Sequence, residues 1–164
     1  MNLFYLDHNI ERCVKYHCDK HVVKMITETA QLISNVHRIC PSKGRIPKFV
    51  MEYDKKHANH PHAIWLRESI ENYHFLCKFG LALYNEYQYR YNNPQKHQRA
   101  LQIFEWALQT NPDLPNSKFN YPPIVMNDDF KIKKDIILSY RNLYMTDKRH
   151  FMSWKNRKQP KWFK

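Results

Sequence analysis

The densest set of chemically capable side chains runs His17-Cys18-Asp19-Lys20-His21-Val22-Val23-Lys24-Met25-Ile26-Thr27-Glu28. Spaced three and four apart, His21, Lys24 and Glu28 share one face of a helix, beside an apolar stripe of Val22, Ile26 and Ile33. A carboxylate close to an amine and an imidazole, partly desolvated, is the raw material of general acid–base chemistry. A lysine whose pKa is lowered by burial could also attack a sugar C1′ or a carbonyl. The same spacing suits a solvated face carrying i,i+4 ion pairs, so these residues alone leave both readings open. A second constellation is His57-Ala58-Asn59-His60-Pro61-His62, followed by Trp65, Arg67, Glu68 and Asn72. Three histidines this close raise the question of zinc. There is no HExxH or CxxC, and neighbouring residues such as His17 and Cys18 rarely point at one ion. No metal and no cofactor are expected. At a helix start His60 and His62 fit better as anion contacts, because unpaired backbone N–H groups point outward there. The planar fork of Arg67 suits a phosphate or carboxylate.

These side chains must be positioned by helices. Leu3-Phe4-Tyr5-Leu6 reads as a short extended piece, with Asp7 or Asn9 as the cap of the next segment. Asp19 is a candidate N-cap, after which Val22, Met25, Ile26, Thr29, Ile33 and Val36 recur every three to four residues. That pattern predicts a helix of roughly 20 residues, ended by Cys40-Pro41. Residues 41–60 read as an irregular basic connection. A second helix is predicted from Asn59-His60-Pro61 to about Tyr89, since proline suits the first turn, a third over 95–109 and a fourth over 130–144. A proline-punctuated stretch, 111–129, separates the last two. Most aromatics of the second helix are assigned to packing, leaving Tyr89-Arg90-Tyr91 as surface candidates. The expectation is one all-α domain over residues 1–164, of about four helices with long irregular connections. Its tail, 148–164, carries Lys148, Arg149, Lys155, Arg157, Lys158, Lys161 and Lys164 with no acid, interleaved with Phe151, Trp154, Trp162 and Phe163. Such cations neutralise phosphates, while the aromatics either stack on bases or dock the tail on the core.

Composition narrows the function. The 164 residues hold 27 Lys and Arg against 15 Asp and Glu, a formal charge of +12, which favours a polyanionic partner. No apolar run approaches the roughly 18 residues of a membrane span, and the opening residues are not expected to be a signal peptide. With two glycines there is no GxxxxGK and no GxGxxG, which excludes P-loop and Rossmann enzymes. The four cysteines lack the paired spacing of a disulfide scaffold, so a reducing cytoplasm is expected.

The run His17 to His21 with Glu28, then Asn59-His60-Pro61 through Trp65-Leu66-Arg67-Glu68 to Asn72-Tyr73, and Tyr140-Arg141 through Trp154 to Pro160-Lys161-Trp162-Phe163, resembles a group of small phage proteins. That resemblance covers nearly the whole chain and implies a phage-type genome, hence a host cytoplasm. The chain is also similar, more distantly, to the pyrimidine-dimer DNA glycosylases of the endonuclease V type. These are compact, basic, all-α enzymes in which an N-terminal α-amine attacks the sugar and a helix-one glutamate stabilises the intermediate. Their first helix carries a histidine seven residues before that glutamate, the spacing of His21 and Glu28. Asn59-His60-Pro61, the long helix through Tyr73-His74-Phe75-Leu76 to Glu86, and the terminal Trp162-Phe163-Lys164 resemble parts of them too. The resemblance implies a glycosylase/lyase-like enzyme acting on a damaged or modified base, with DNA rather than RNA as partner. Glu28 would stabilise the cationic sugar beside His21. The chain departs from the pattern at its second residue, Asn2, which is large, so the amine would come from Met1 itself, Lys20 or Lys24. Contacts to DNA are expected from His17, Lys20, His60, His62, Arg67, Asn72, Arg141, Lys148, Arg149, Lys155, Arg157 and Lys158. Three alternatives stand beside this reading. They are a DNA-modification or nucleotide-processing enzyme using the same face, a non-catalytic nucleic-acid-binding or host-inhibiting accessory protein, and a metalloprotein.

Overall fold

The structure, a computed structural model, describes residues 2–41, 44–133 and 135–164. Among them are seven α-helices: α1 Ile10–Tyr16, α2 Asp19–Ile39, α3 Lys55–Ala58, α4 Pro61–Arg67, α5 Ile70–Tyr91, α6 Gln98–Gln109 and α7 Ile136–Met145. The all-α reading holds, with more and shorter helices than the periodicity predicted. Most of the differences arise at caps. Asn9 accepts a hydrogen bond from the Arg12 N–H at 2.9 Å, so a short α1 precedes the long helix at Asp19. The helix predicted through 59–89 breaks at Ser69, whose extended backbone and side chain, bonded to the Glu71 N–H, start a new helix. His97, in the left-handed region at φ 63°, delays α6 to Gln98. Asp135 caps α7 through the Leu138 N–H, which places a separate 3₁₀ turn over Asp128–Phe130.

The long helices α2 and α5 pack against each other, and α1, α4 and α6 flank them. Val22, Met25, Ile26, Leu32 and Ile33 of α2 meet Tyr73, Leu76, Phe79 and Leu83 of α5 in a buried core. Each large aliphatic side chain buried there contributes about 1.5–3 kcal/mol. Helix α6 lies so close to α5 that a Cβ added at Gly80 would fall 2.6 Å from the Phe104 ring. Backbone groups in the proline-punctuated stretch find partners on α4 and α5, which tie that stretch to the bundle. The Trp65 indole donates to the Asn120 carbonyl and the Ile70 N–H to the Pro115 carbonyl, while the Asn120 N–H donates to Asn72 Oδ1.

The basic tail is clasped to this bundle by charge. Arg90, expected at the surface, is 1% exposed. It donates to Glu86 at 2.8 Å, to Asp19 at 2.9 Å and to the Lys15 carbonyl at 3.1 Å. Arg157 forks onto both oxygens of Glu86 at 2.9 and 2.7 Å, while the Lys155 N–H donates to the Asp19 carboxylate. Trp154 donates to the Tyr16 carbonyl, and Phe163 is buried, so the tail's aromatics pack on the bundle. Removing one member of a buried charge cluster strands its partners. Arg90→Met is therefore expected to lower the unfolding free energy by about 3–5 kcal/mol in urea titration. A loss below about 1 kcal/mol would show that the cluster contributes little.

Candidate active site

The N-terminal segment, α2 and the stretch after α7 enclose a cleft of about 310 Å³, lined by Asn2, Phe4, Lys20, His21, Lys24, Lys148 and Phe151. Its size lies at the lower end of the range ligand sites occupy. His21 forms the floor. Its ring stacks on Phe4 with centroids 3.8 Å apart, meets Phe151 edge-on and bonds through Nδ1 to the Tyr144 hydroxyl at 2.6 Å. Lys20 extends over the Phe151 ring at 4.7 Å. Lys24 reaches Glu28 Oε1 at 3.2 Å, while Glu28 Oε2 is buried with no partner among the described residues. Beyond Lys20 and Lys24 a second groove of about 330 Å³ opens between Asp19, Val23 and Tyr91, so the two lysines stand as a ridge between two hollows.

Burial sets the protonation states. Desolvation, reinforced by His17, Lys24 and Lys148, pushes His21 down to about 2, so its imidazole is neutral. Desolvation likewise takes His17 to about 4, despite the bond its Nδ1–H donates to the Cys13 carbonyl at 2.8 Å. Burial drives the Cys18 thiol up to about 11, which removes it as a nucleophile at neutral pH.

The structure gathers Lys20, His21, Lys24 and Lys148 around one cleft, with Glu28 joined to it through Lys24. Met1 lies outside the described residues. His17 is fully buried between Phe4 and Phe79. His60, His62, Arg67 and Asn72 belong to the α4–α5 scaffold instead. His60 caps α4, the buried His62 donates to the Pro123 carbonyl at 3.0 Å, Arg67 donates to the Ala58 carbonyl at 2.8 Å, and Asn72 is buried against Trp65 and Asn120. Arg141 holds the Leu6 carbonyl and lies over Trp162, Arg149 donates to the Lys164 carbonyl, and Arg157 is engaged with Glu86. Lys155 sits over the Tyr91 ring at 5.0 Å beside the second groove, and Lys158 is exposed. Among the described residues no cluster of three or more His, Cys, Asp or Glu could hold a metal ion, and no helix is long and apolar enough to cross a membrane. Sequence reasoning missed Phe4 and Tyr144 as parts of the site, and Asn2 entered it only as a bulky second residue. Nothing in the local spacing of Tyr144 links it to a histidine 123 positions earlier.

A family model described as pyrimidine dimer DNA glycosylase matches residues 1–99. The chain belongs to that family. The match covers Asn2, Phe4, Lys20, His21, Lys24 and Glu28, and stops short of Lys148 and Phe151, which complete the cleft, and of Tyr144, which bonds His21 from behind it. Searches of curated proteins and of solved structures returned no match.

The buried imidazoles make stability depend on acid. His17, His21, His37 and His62 are neutral when folded, held down to about 4, 2, 4 and 3 by desolvation first of all. In the unfolded chain each takes up a proton near its ordinary value of about 6.5. Below that pH the unfolded state binds more protons, so stability falls as pH drops from about 6.5 towards 4, by on the order of 1 kcal/mol per histidine per pH unit. Thermal melts between pH 7 and 4.5 check this, and an unchanged midpoint would refute the neutral assignments.

Proposed function

We propose that this protein is a DNA glycosylase/lyase-like enzyme that removes a damaged or modified base, with the Asn2–Lys20–His21–Lys24 cleft as its active site. The observation that carries this reading is the meeting of α2 amines, a desolvated imidazole and a carboxylate one helical turn away, inside the family-matched region. An amine attacks C1′ as the C1′–N bond to the base breaks, and the positive charge that gathers on the sugar is stabilised by Glu28. Lys20 and Lys24 are the α2 amines at the cleft, and the Met1 α-amine is the other candidate. Such chemistry requires the nucleotide to leave the stack, at a cost of a few kcal/mol that is least for a damaged base. The lysine ridge and the +12 charge offset that cost through phosphate contacts.

Incubation with duplex oligonucleotides carrying a pyrimidine dimer or another damaged base, in borohydride, is expected to yield a covalent protein–DNA adduct. Peptide mapping of that adduct identifies the amine. Glu28→Gln is expected to lower the trapping rate about 100-fold or more while leaving the fold intact. DNA affinity should fall steeply between 50 and 200 mM salt, as binding through phosphate contacts does. A folded protein that forms no adduct on any such substrate overturns the lyase reading, and turnover of free nucleotides instead would favour a nucleotide-processing enzyme.

A further inference from the structure

We infer that Tyr144 locks His21 in the tautomer protonated on Nε2, so that the histidine offers the cleft a neutral N–H donor rather than a base. Tyr144 is fully buried, and its hydroxyl has one acceptor among the described residues, His21 Nδ1 at 2.6 Å. Were the imidazole to donate from Nδ1 instead, the phenolic proton would be buried with nowhere to go, a costly arrangement. The Tyr144 O–H therefore donates to His21 Nδ1. That leaves the ring's single proton on Nε2.

The surroundings keep the ring neutral from every side. Lys20 and Lys24 come from its own helix, Lys148 from the stretch after α7, and Phe4 and Phe151 cover its faces and edge. His17, the imidazole that acts on it electrostatically, is itself buried and uncharged. An uncharged imidazole N–H in a lysine-lined cleft can hydrogen-bond an oxygen that gains negative charge, such as the carbonyl oxygen of a departing pyrimidine. It does so without having to transfer its proton. The functional part of this inference rests on the active-site reading above; the tautomer does not. Tyr144 is a positioning residue, acting only through His21.

Long-range ¹H–¹⁵N spectra of the full-length protein read the tautomer directly. In the wild type His21 should show a pyridine-type Nδ1 and a pyrrole-type Nε2, unchanged from pH 5 to 8. A pyridine-type Nε2, or titration within that range, overturns the inference whatever the activity. In Tyr144→Phe the pattern should become mixed or reversed. Single-turnover trapping on damaged DNA should slow about tenfold, the value of one hydrogen bond, with DNA affinity unchanged. His21→Gln, which keeps an N–H donor, should retain more activity than His21→Ala. Equal losses in those two variants would overturn the donor role. A wild-type protein with the stated tautomer but no adduct would reject the active-site reading instead, and with it the donor role, leaving the tautomer standing.

Discussion

The structure depends on one buried guanidinium. Arg90 joins α5 to α2 through Asp19 and to α1 through the Lys15 carbonyl, and it neutralises Glu86, which in turn receives Arg157 from the tail. Two carboxylates and two guanidiniums lie within ion-pair distance of one another, which offsets a burial cost on the order of several kcal/mol per ion. Geometry follows from that pairing. Asp19 opens α2, so its attachment sets where Lys20, His21 and Lys24 stand in the first two turns of that helix. Lys155, held at Asp19 by its backbone N–H, anchors the tail segment that comes after Lys148 and Phe151.

The cleft is accordingly a composite. Its histidine and two of its lysines come from α2, the aromatic ring stacked on that histidine from the N-terminal segment, and its third lysine and Phe151 from residues after α7. The cationic rim and the neutral imidazole answer different needs. Exposed lysines attract a polyanion at long range, whereas a desolvated N–H acts only on an atom seated in the hollow. Keeping His21 uncharged among three lysines avoids adding a fourth like charge, and the stack on Phe4 supplies the apolar surface that makes neutrality favourable.

The periodicity of Val22, Met25, Ile26, Ile33 and Val36 made α2 legible, because an amphipathic stripe is a local property of the chain. The His21–Lys24–Glu28 face was legible for the same reason. Ser69 and Asp135, which divide or delay helices, are legible as capping types, yet apolar spacing ran straight across them. Arg90 misled because a charge inside a run of tyrosines reads as surface until its carboxylate partners, 4 and 71 positions away, are known. His60, His62 and Asn72 look like ligand contacts from their types, but His60 caps α4, while Pro123 and Asn120 of the proline-rich stretch engage His62 and Asn72. Tyr144 left no local trace, since its meaning lies in a single contact across the fold.

The clasp at Asp19 and Glu86 also has a consequence for biosynthesis. Residues that emerge early from the ribosome carry the ionisable face, and the phenol that holds His21 and the lysine and phenylalanine that finish the hollow emerge more than a hundred positions later. A nascent chain therefore exposes its lysines without a formed recess beside them, and the site assembles only when the final basic stretch has folded back onto the bundle.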